Sequence, residues 1–287
     1  MPDPTRLAMP PASGLGLAAL FLSALAGLVA LTLAIDPGTP AAWEVDLARS
    51  IQEIGGPGWT PFIDVTEVLS RPLIVSVVAA AVGLVCLRWR RRREAAILAG
   101  ALLVWIPERL MTEFIARERP TEATLTIIRE GYGFAFPSGH TTGALVIYGA
   151  LLLLLLGSRY RRRPAALAVC ALAVVGLAGA GVGRVALGAH WPTDVVGAAL
   201  LSLCWLVGIH WADRRWFRPA GGPANGAGAL DCPQRPGGSD DSAPGAAPGG
   251  RMRRPDRVDL FLIFQSGLIV AFLGVLLYAI GDWIGYW

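Results

Sequence analysis

The chain has no lysine and only three histidines, so all 25 of its basic residues are arginines. Charged residues of both signs together make up just 16% of it. Its four cysteines, Cys86, Cys170, Cys204 and Cys232, show no CxxC or other metal-ligand spacing. Three of them sit inside apolar runs, where a thiol behaves as a small hydrophobe. That pattern speaks against a disulfide framework and against a zinc site. No acidic cluster has metal-ligand spacing either. The net charge of +4 does not mark a nucleic-acid binder. The arginines cluster beside apolar runs, where cations act as topology determinants.

What the chain has in abundance is apolar sequence. Over 287 residues, 54% are hydrophobic, and the mean hydropathy is +0.53. A membrane-crossing helix needs about 20 apolar residues, and several runs qualify. Residues 15–35 read as a first span, longer than a secretory signal core and without a cationic n-region beyond Arg6. Asp36-Pro37-Gly38 breaks that helix. Residues 41–54 alternate apolar and charged positions and suit an amphipathic helix at the interface. A turn over 55–61 leads to a second span at 72–87, with a possible earlier start at Ile63. The third span covers 95–114, the fourth runs from the Pro137 cluster to 156, the fifth covers 164–181 and the sixth 194–211. The Ala- and Gly-rich fifth run permits close helix packing in lipid. Residues 218–256, dominated by Pro, Gly, Ala, Ser and Asp, cannot build a core and read as a disordered linker. A seventh apolar run follows, with Trp283, Tyr286 and Trp287 at its end as an aromatic anchor. The expected organisation is an all-α polytopic membrane bundle. It comprises a tail (1–13), a six-span core (14–217), a linker (218–256) and a seventh transmembrane helix (257–287).

Arginine-rich turns at 88–93, 159–163 and 214–218 follow the second, fourth and sixth spans, and therefore share one side. The positive-inside bias assigns them, and the N-terminus, to the cytoplasm. The loops after spans one, three and five then open outward, at the extracytoplasmic face of a plasma (inner) membrane. Three polar clusters meet on that outer side without having entered the choice of topology. They are Arg119-Pro120, Pro137-Ser138-Gly139-His140, and the run from Arg184 through His190 to Asp194.

Each cluster suits a phosphate. Guanidinium groups grip phosphate oxygens bidentately, which makes Arg119 and Arg184 candidate clamps. Ser138 and Gly139 stand where the fourth helix begins, and its unpaired N–H groups and dipole favour an anion. Histidine, with an ordinary pKa of about 6.5, can act as nucleophile or as general acid and base, which fits His140 and His190. Arg129 and His210 read as ordinary interfacial residues.

The three clusters resemble the signature of the type 2 phosphatidic acid phosphatase superfamily: Lys-x6-Arg-Pro, Pro-Ser-Gly-His and Ser-Arg-x5-His-x3-Asp. Arg119, Pro120, Pro137 to His140, Arg184, His190 and Asp194 match it. Thr112 stands where the pattern has Lys, and Gly183 where it has Ser. Arg109, one turn before Thr112, and Arg117 are candidates for the compensating cation. The resemblance implies an integral membrane lipid phosphatase with His190 as nucleophile through a phosphohistidine. Asp194 would orient that ring, and His140 would protonate the leaving group and then activate water. The expected substrate is a lipid phosphomonoester or diphosphate, of isoprenyl diphosphate or phosphatidate type, hydrolysed without metal or other cofactor and without a nucleic-acid partner. A lipid phosphotransferase using the same histidine, and a non-catalytic lipid-phosphate-binding protein, are the alternatives. Seven apolar spans argue against a soluble haloperoxidase, which shares the signature.

Overall fold

The computed structural model describes residues 14–54, 59–156 and 164–217. The tail 1–13, the arginine turn 159–163, the linker 218–256 and the seventh apolar run at 257–287 lie outside the described residues. Within them the chain forms nine α-helices and no strand. In chain order these are α1 (Gly14–Ala34), α2 (Ala42–Glu53), α3 (Trp59–Ser70), α4 (Pro72–Arg88), α5 (Arg92–Leu102), α6 (Trp105–Ile115), α7 (Gly139–Leu156), α8 (Pro164–Ala186) and α9 (Pro192–Trp216). The fold is an all-α bundle.

Among the described residues, three helices, Leu15–Ala34, Arg92–Ile115 and Pro192–Trp216, are long and apolar enough to cross a membrane. The bent pair Trp59–Ser70 and Pro72–Arg88 makes a fourth when taken as one span, and Gly139–Leu155 is a shorter apolar helix. Large apolar side chains cover the outside, as at Leu15, Leu22 and Leu33 on α1. A surface of this kind belongs in lipid, and the chain is a multi-pass membrane protein.

Prolines place the breaks. Pro72 disfavours helical geometry at the residue before it. Arg71 accordingly sits at φ −55°, ψ 130°, and the helix pair bends there by 55°. The second span therefore starts well before residue 72, as two helices with an arginine at their joint. Pro107 interrupts the third span in the same way. Its ring clashes with the carbonyl four residues back, and the Leu103 carbonyl instead accepts from Ile106, three residues on (3.1 Å). This separates α5 from α6. The fifth expected span is α8, which runs past 181 to Ala186, so Arg184 lies on its last turn instead of in a loop.

One core packs α4, α5 and α7 around Val75, Leu98, Val104 and Ile147. Helix α9 packs against α1, α7 and α8. At its C-terminal end Asp213 receives Arg93 of α5, with one contact at 2.7 Å. At its N-terminal end the Ser138 amide donates to the Asp194 carbonyl (3.2 Å), which brings the start of α7 alongside. Asp194 and Asp213 are about 28 Å apart along the helix. The arginine-rich turns at 88–93 and 214–215 thus occupy one end of the bundle, and the three polar clusters the other.

Candidate active site

The turn between α8 and α9 presents His190. It is closed by amide bonds from Gly188 to Val185 (2.9 Å) and from Ala189 to Arg184 (3.1 Å). Gly188 has φ +71°, and a β-carbon there would stand 2.3 Å from the Thr126 carbonyl oxygen, so only glycine fits. Pro192 then starts α9, and Asp194 caps it by accepting the Trp191 amide on Oδ2 (2.8 Å). Helical spacing from that cap carries the same oxygen to 3.3 Å from His190 Nδ1.

Arg119 approaches the other ring nitrogen. Its Nη1 lies 3.0 Å from His190 Nε2. A guanidinium has no acceptor, so Nε2 must accept and carry its lone pair toward Arg119, while Nδ1 carries the proton that faces Asp194. His190 is 2% exposed. Burial, reinforced by the positive charges of Arg119 and Arg184, holds its pKa well below the ordinary 6.5, against a smaller opposing effect from the Ala135 backbone. The ring is neutral at neutral pH, as a nucleophile requires. Arg119 is itself fixed by carbonyls: Nε donates to Gly133 (2.9 Å), Nη1 to Ala189 (2.7 Å), and Nη2 to Tyr132 (3.0 Å) and Phe134 (2.9 Å).

Behind Asp194 lies a buried relay that the sequence did not suggest. Arg117, 1% exposed, donates Nη1 to Asp194 Oδ1 (2.7 Å) and Nη2 to Glu44 Oε2 (2.8 Å). Thr193 Oγ1 bonds both Arg117 and the other Glu44 oxygen. Helix α2, expected only to lie at the interface, thus sends Glu44 into the bundle to support the acid that holds His190. Arg117 is therefore not the compensating cation, because its guanidinium is buried and committed to Asp194 Oδ1, Thr193 and Glu44.

The second cluster begins α7. Ser138 is fully buried, and its Oγ accepts from Thr141 (3.1 Å). Gly139 abuts the Glu108 carboxylate, whose Oε1 would be 2.9 Å from a β-carbon there. Arg184, Arg119 and Arg71 lie close enough to His140 to act on it electrostatically. Phe136 packs so closely on α9 that a β-carbon at Gly197 would meet its ring at 2.3 Å.

The two departures from the motif have distinct surroundings. Thr112 is buried and donates to the Glu108 carbonyl (2.9 Å). Arg109 does not replace the missing cation: its side chain is 70% exposed and paired with Glu113 (2.7 Å). That corner holds a carboxylate where the motif has an ammonium. At Gly183, Thr66 brings its Oγ1 to 3.4 Å from the position of a β-carbon, so a hydroxyl stands nearby even though residue 183 has none.

Arg184, 4% exposed, lies 3.8 Å from Glu67 on α3. Glu67 also receives Arg71 through Nε (3.3 Å) and Nη2 (3.2 Å), and Arg129 at 3.7 Å. Arg129, read from sequence as an interfacial residue, instead joins this group and pairs with Asp64 (3.2 Å). The one legible signal was the Glu67–Arg71 spacing of four residues in an otherwise apolar stretch.

The pattern of the PAP2 superfamily matches residues 94–218. Phosphatidylglycerophosphatase B of Escherichia coli (strain K12) is 38% identical over 93 residues, 32% of this chain and 34% of that protein. The protein of the same name from Shigella flexneri aligns with the same identity and coverage. The alignment thus spans about a third of the length of these curated relatives. Among solved structures, the crystal structure of the first transmembrane PAP2 type phosphatidylglycerolphosphate phosphatase from Bacillus subtilis matches with a TM-score of 0.60 at 21% identity. That match covers 68% of this chain and 96% of the other, and it speaks to the fold. All three polar clusters and the helices that carry them fall within the segment that matches the PAP2 superfamily.

Proposed function

We propose that this protein is an integral membrane lipid phosphatase that works through a phosphohistidine on His190. The observation that carries the proposal is the orientation of that imidazole, with Nδ1 on Asp194 and the Nε2 lone pair directed at Arg119. A phosphoryl group between His190, Arg119 and Arg184 would be attacked by Nε2. The phosphorus–oxygen bond to the leaving group breaks, its electron pair goes to that oxygen, and His140 supplies the proton. His140 then takes a proton from water, whose oxygen attacks phosphorus, breaks the phosphorus–nitrogen bond and releases inorganic phosphate. Arg119, Arg184 and the start of α7 at Ser138 and Gly139 stabilise the charge, so no metal is needed.

The substrate in this reading is a lipid phosphate whose chains remain in the bilayer. The names of the relatives point to phosphatidylglycerophosphate, alongside an isoprenyl diphosphate or phosphatidate. The arginine-rich turns favour an extracytoplasmic site in the plasma membrane. Purified protein should release phosphate from such a lipid with a chelator present, and His190→Ala should abolish the release. Equal release by both proteins would overturn the mechanism. The carboxylate of Glu108 beside Gly139 favours a second reading, a non-catalytic lipid-phosphate binder. Binding without turnover by the wild type, unimproved in Thr112→Lys combined with Glu108→Gln, would establish it. Product analysis with an alcohol acceptor present separates hydrolysis from phosphotransfer.

A further inference from the structure

We infer that Arg71 and Arg129, held by Glu67 and Asp64 beside Arg184, form a second anion-binding subsite that selects lipids carrying two phosphate groups. This rests on the phosphatase reading above and names the substrate class for it. The two groups could be the adjoining phosphates of an isoprenyl diphosphate, or a phosphomonoester joined through glycerol to a phosphodiester.

Three guanidinium groups converge on one buried carboxylate. Glu67 is 6% exposed and meets Arg71, Arg129 and Arg184 at 3.2, 3.7 and 3.8 Å. Asp64 supplies one further negative charge, on Arg129. Two carboxylates and three guanidinium groups thus gather beside the reaction centre. Arg184 Nε is buried with no hydrogen-bond partner among the described residues, although its side chain is only 4% exposed. A buried charged donor in that condition calls for an anion. Arg71 lies close enough to act electrostatically on both Arg184 and His140, which ties the group to the reaction centre.

The group is also accessible and held in position. Arg71 is 21% and Arg129 35% exposed, unlike Arg117 at 1%, so their donors can reach a ligand. The Pro72 break fixes Arg71, and the Arg129 amide is anchored on the Leu187 carbonyl (3.2 Å), in the turn that presents His190. Thr112 stands beside Glu108, without a cation, whereas Arg71 and Arg129 stand with Arg184 around Glu67. A single phosphate centred on His190 uses Arg119 and Arg184, and a second phosphate on the same lipid would meet Arg71 and Arg129.

The test uses the full chain in mixed micelles with three substrates: phosphatidate, phosphatidylglycerophosphate and an isoprenyl diphosphate. Arg71→Gln and, separately, Arg129→Gln should raise KM at least about tenfold for whichever two-phosphate lipid the wild type prefers. The rise in KM should be at least about fivefold smaller for phosphatidate, and thermal unfolding of the same variants in the micelles reports that they are folded. The two-phosphate lipid that is affected identifies the source of the second anion. Equal losses on all three lipids, no loss on any, or a wild type that prefers phosphatidate would each overturn the inference while leaving the phosphatase reading intact. A wild type inert on all three overturns both.

Discussion

Arg117 offers the sharpest test of how the site is held. Replacing it with Ala removes the cation that bridges Glu44 and Asp194, which are 2% and 0% exposed. Two buried carboxylates would then face each other, each missing a bond of 2.7–2.8 Å. Removing one partner of a buried ion pair costs about 3–5 kcal/mol. The apparent melting temperature in detergent should therefore fall by about 10 °C. Asp194 also loses the group that holds Oδ1, so the orientation of His190 loosens. Phosphate release should drop by about a hundredfold, mainly in kcat, because the arginines that bind phosphate are untouched. Adding Glu44→Gln removes one orphaned charge and should recover part of the stability but little of the rate. Such non-additivity in a double-mutant cycle separates a positioning role from a general structural one. If Arg117→Ala keeps its melting temperature and its kcat within twofold of wild type, the relay from Glu44 to His190 has no functional meaning.

Further outcomes follow from other contacts. Thr112→Lys alone should change kcat/KM by no more than about threefold, because Glu108, one turn earlier on the same helix face, would pair with the new ammonium; combined with Glu108→Gln it should raise activity clearly. Gly188→Ala should destabilise the protein by about 1–3 kcal/mol and suppress turnover, since its β-carbon collides with the backbone at Thr126; thermal unfolding and phosphate release check both. The depressed pKa of His190 means that the folded state binds fewer protons than the unfolded chain below pH 6.5. Stability should then fall as pH drops through and below 6.5, by up to about 1.4 kcal/mol per pH unit, and His190→Ala should remove that component.

The motif residues were legible because chemistry demands particular side chains at fixed spacings. Arg119, Arg184, His190 and Asp194 converge on one end of the bundle as their spans suggested. Thr112, Arg109 and Arg117 were harder to read. The left-handed Ala116 that ends α6 (φ 51°) turns the chain just before Arg117, and no spacing rule specifies that turn. Glu44 and Glu67 read as ordinary charges on amphipathic or apolar helices, because a buried carboxylate is identified by partners distant in sequence. The helix breaks at Arg71 and Leu103 were visible as Pro72 and Pro107, yet run length alone merged α5 with α6 and hid α3. The linker and the seventh apolar run lie outside the described residues.

Arg119 has five N–H donors, and all five are engaged, four by backbone oxygens and one by the imidazole of His190. An incoming phosphoryl oxygen must therefore evict a ligand the protein already supplies. In the phosphohistidine reading, the ring nitrogen that Arg119 holds is also the atom that would bond phosphorus. Release of that nitrogen and capture of the anion would then be one exchange, with the electron pair uncovered by the arrival of the group it attacks. Until then it is tied to a cation, which discourages stray electrophiles and excess protons alike.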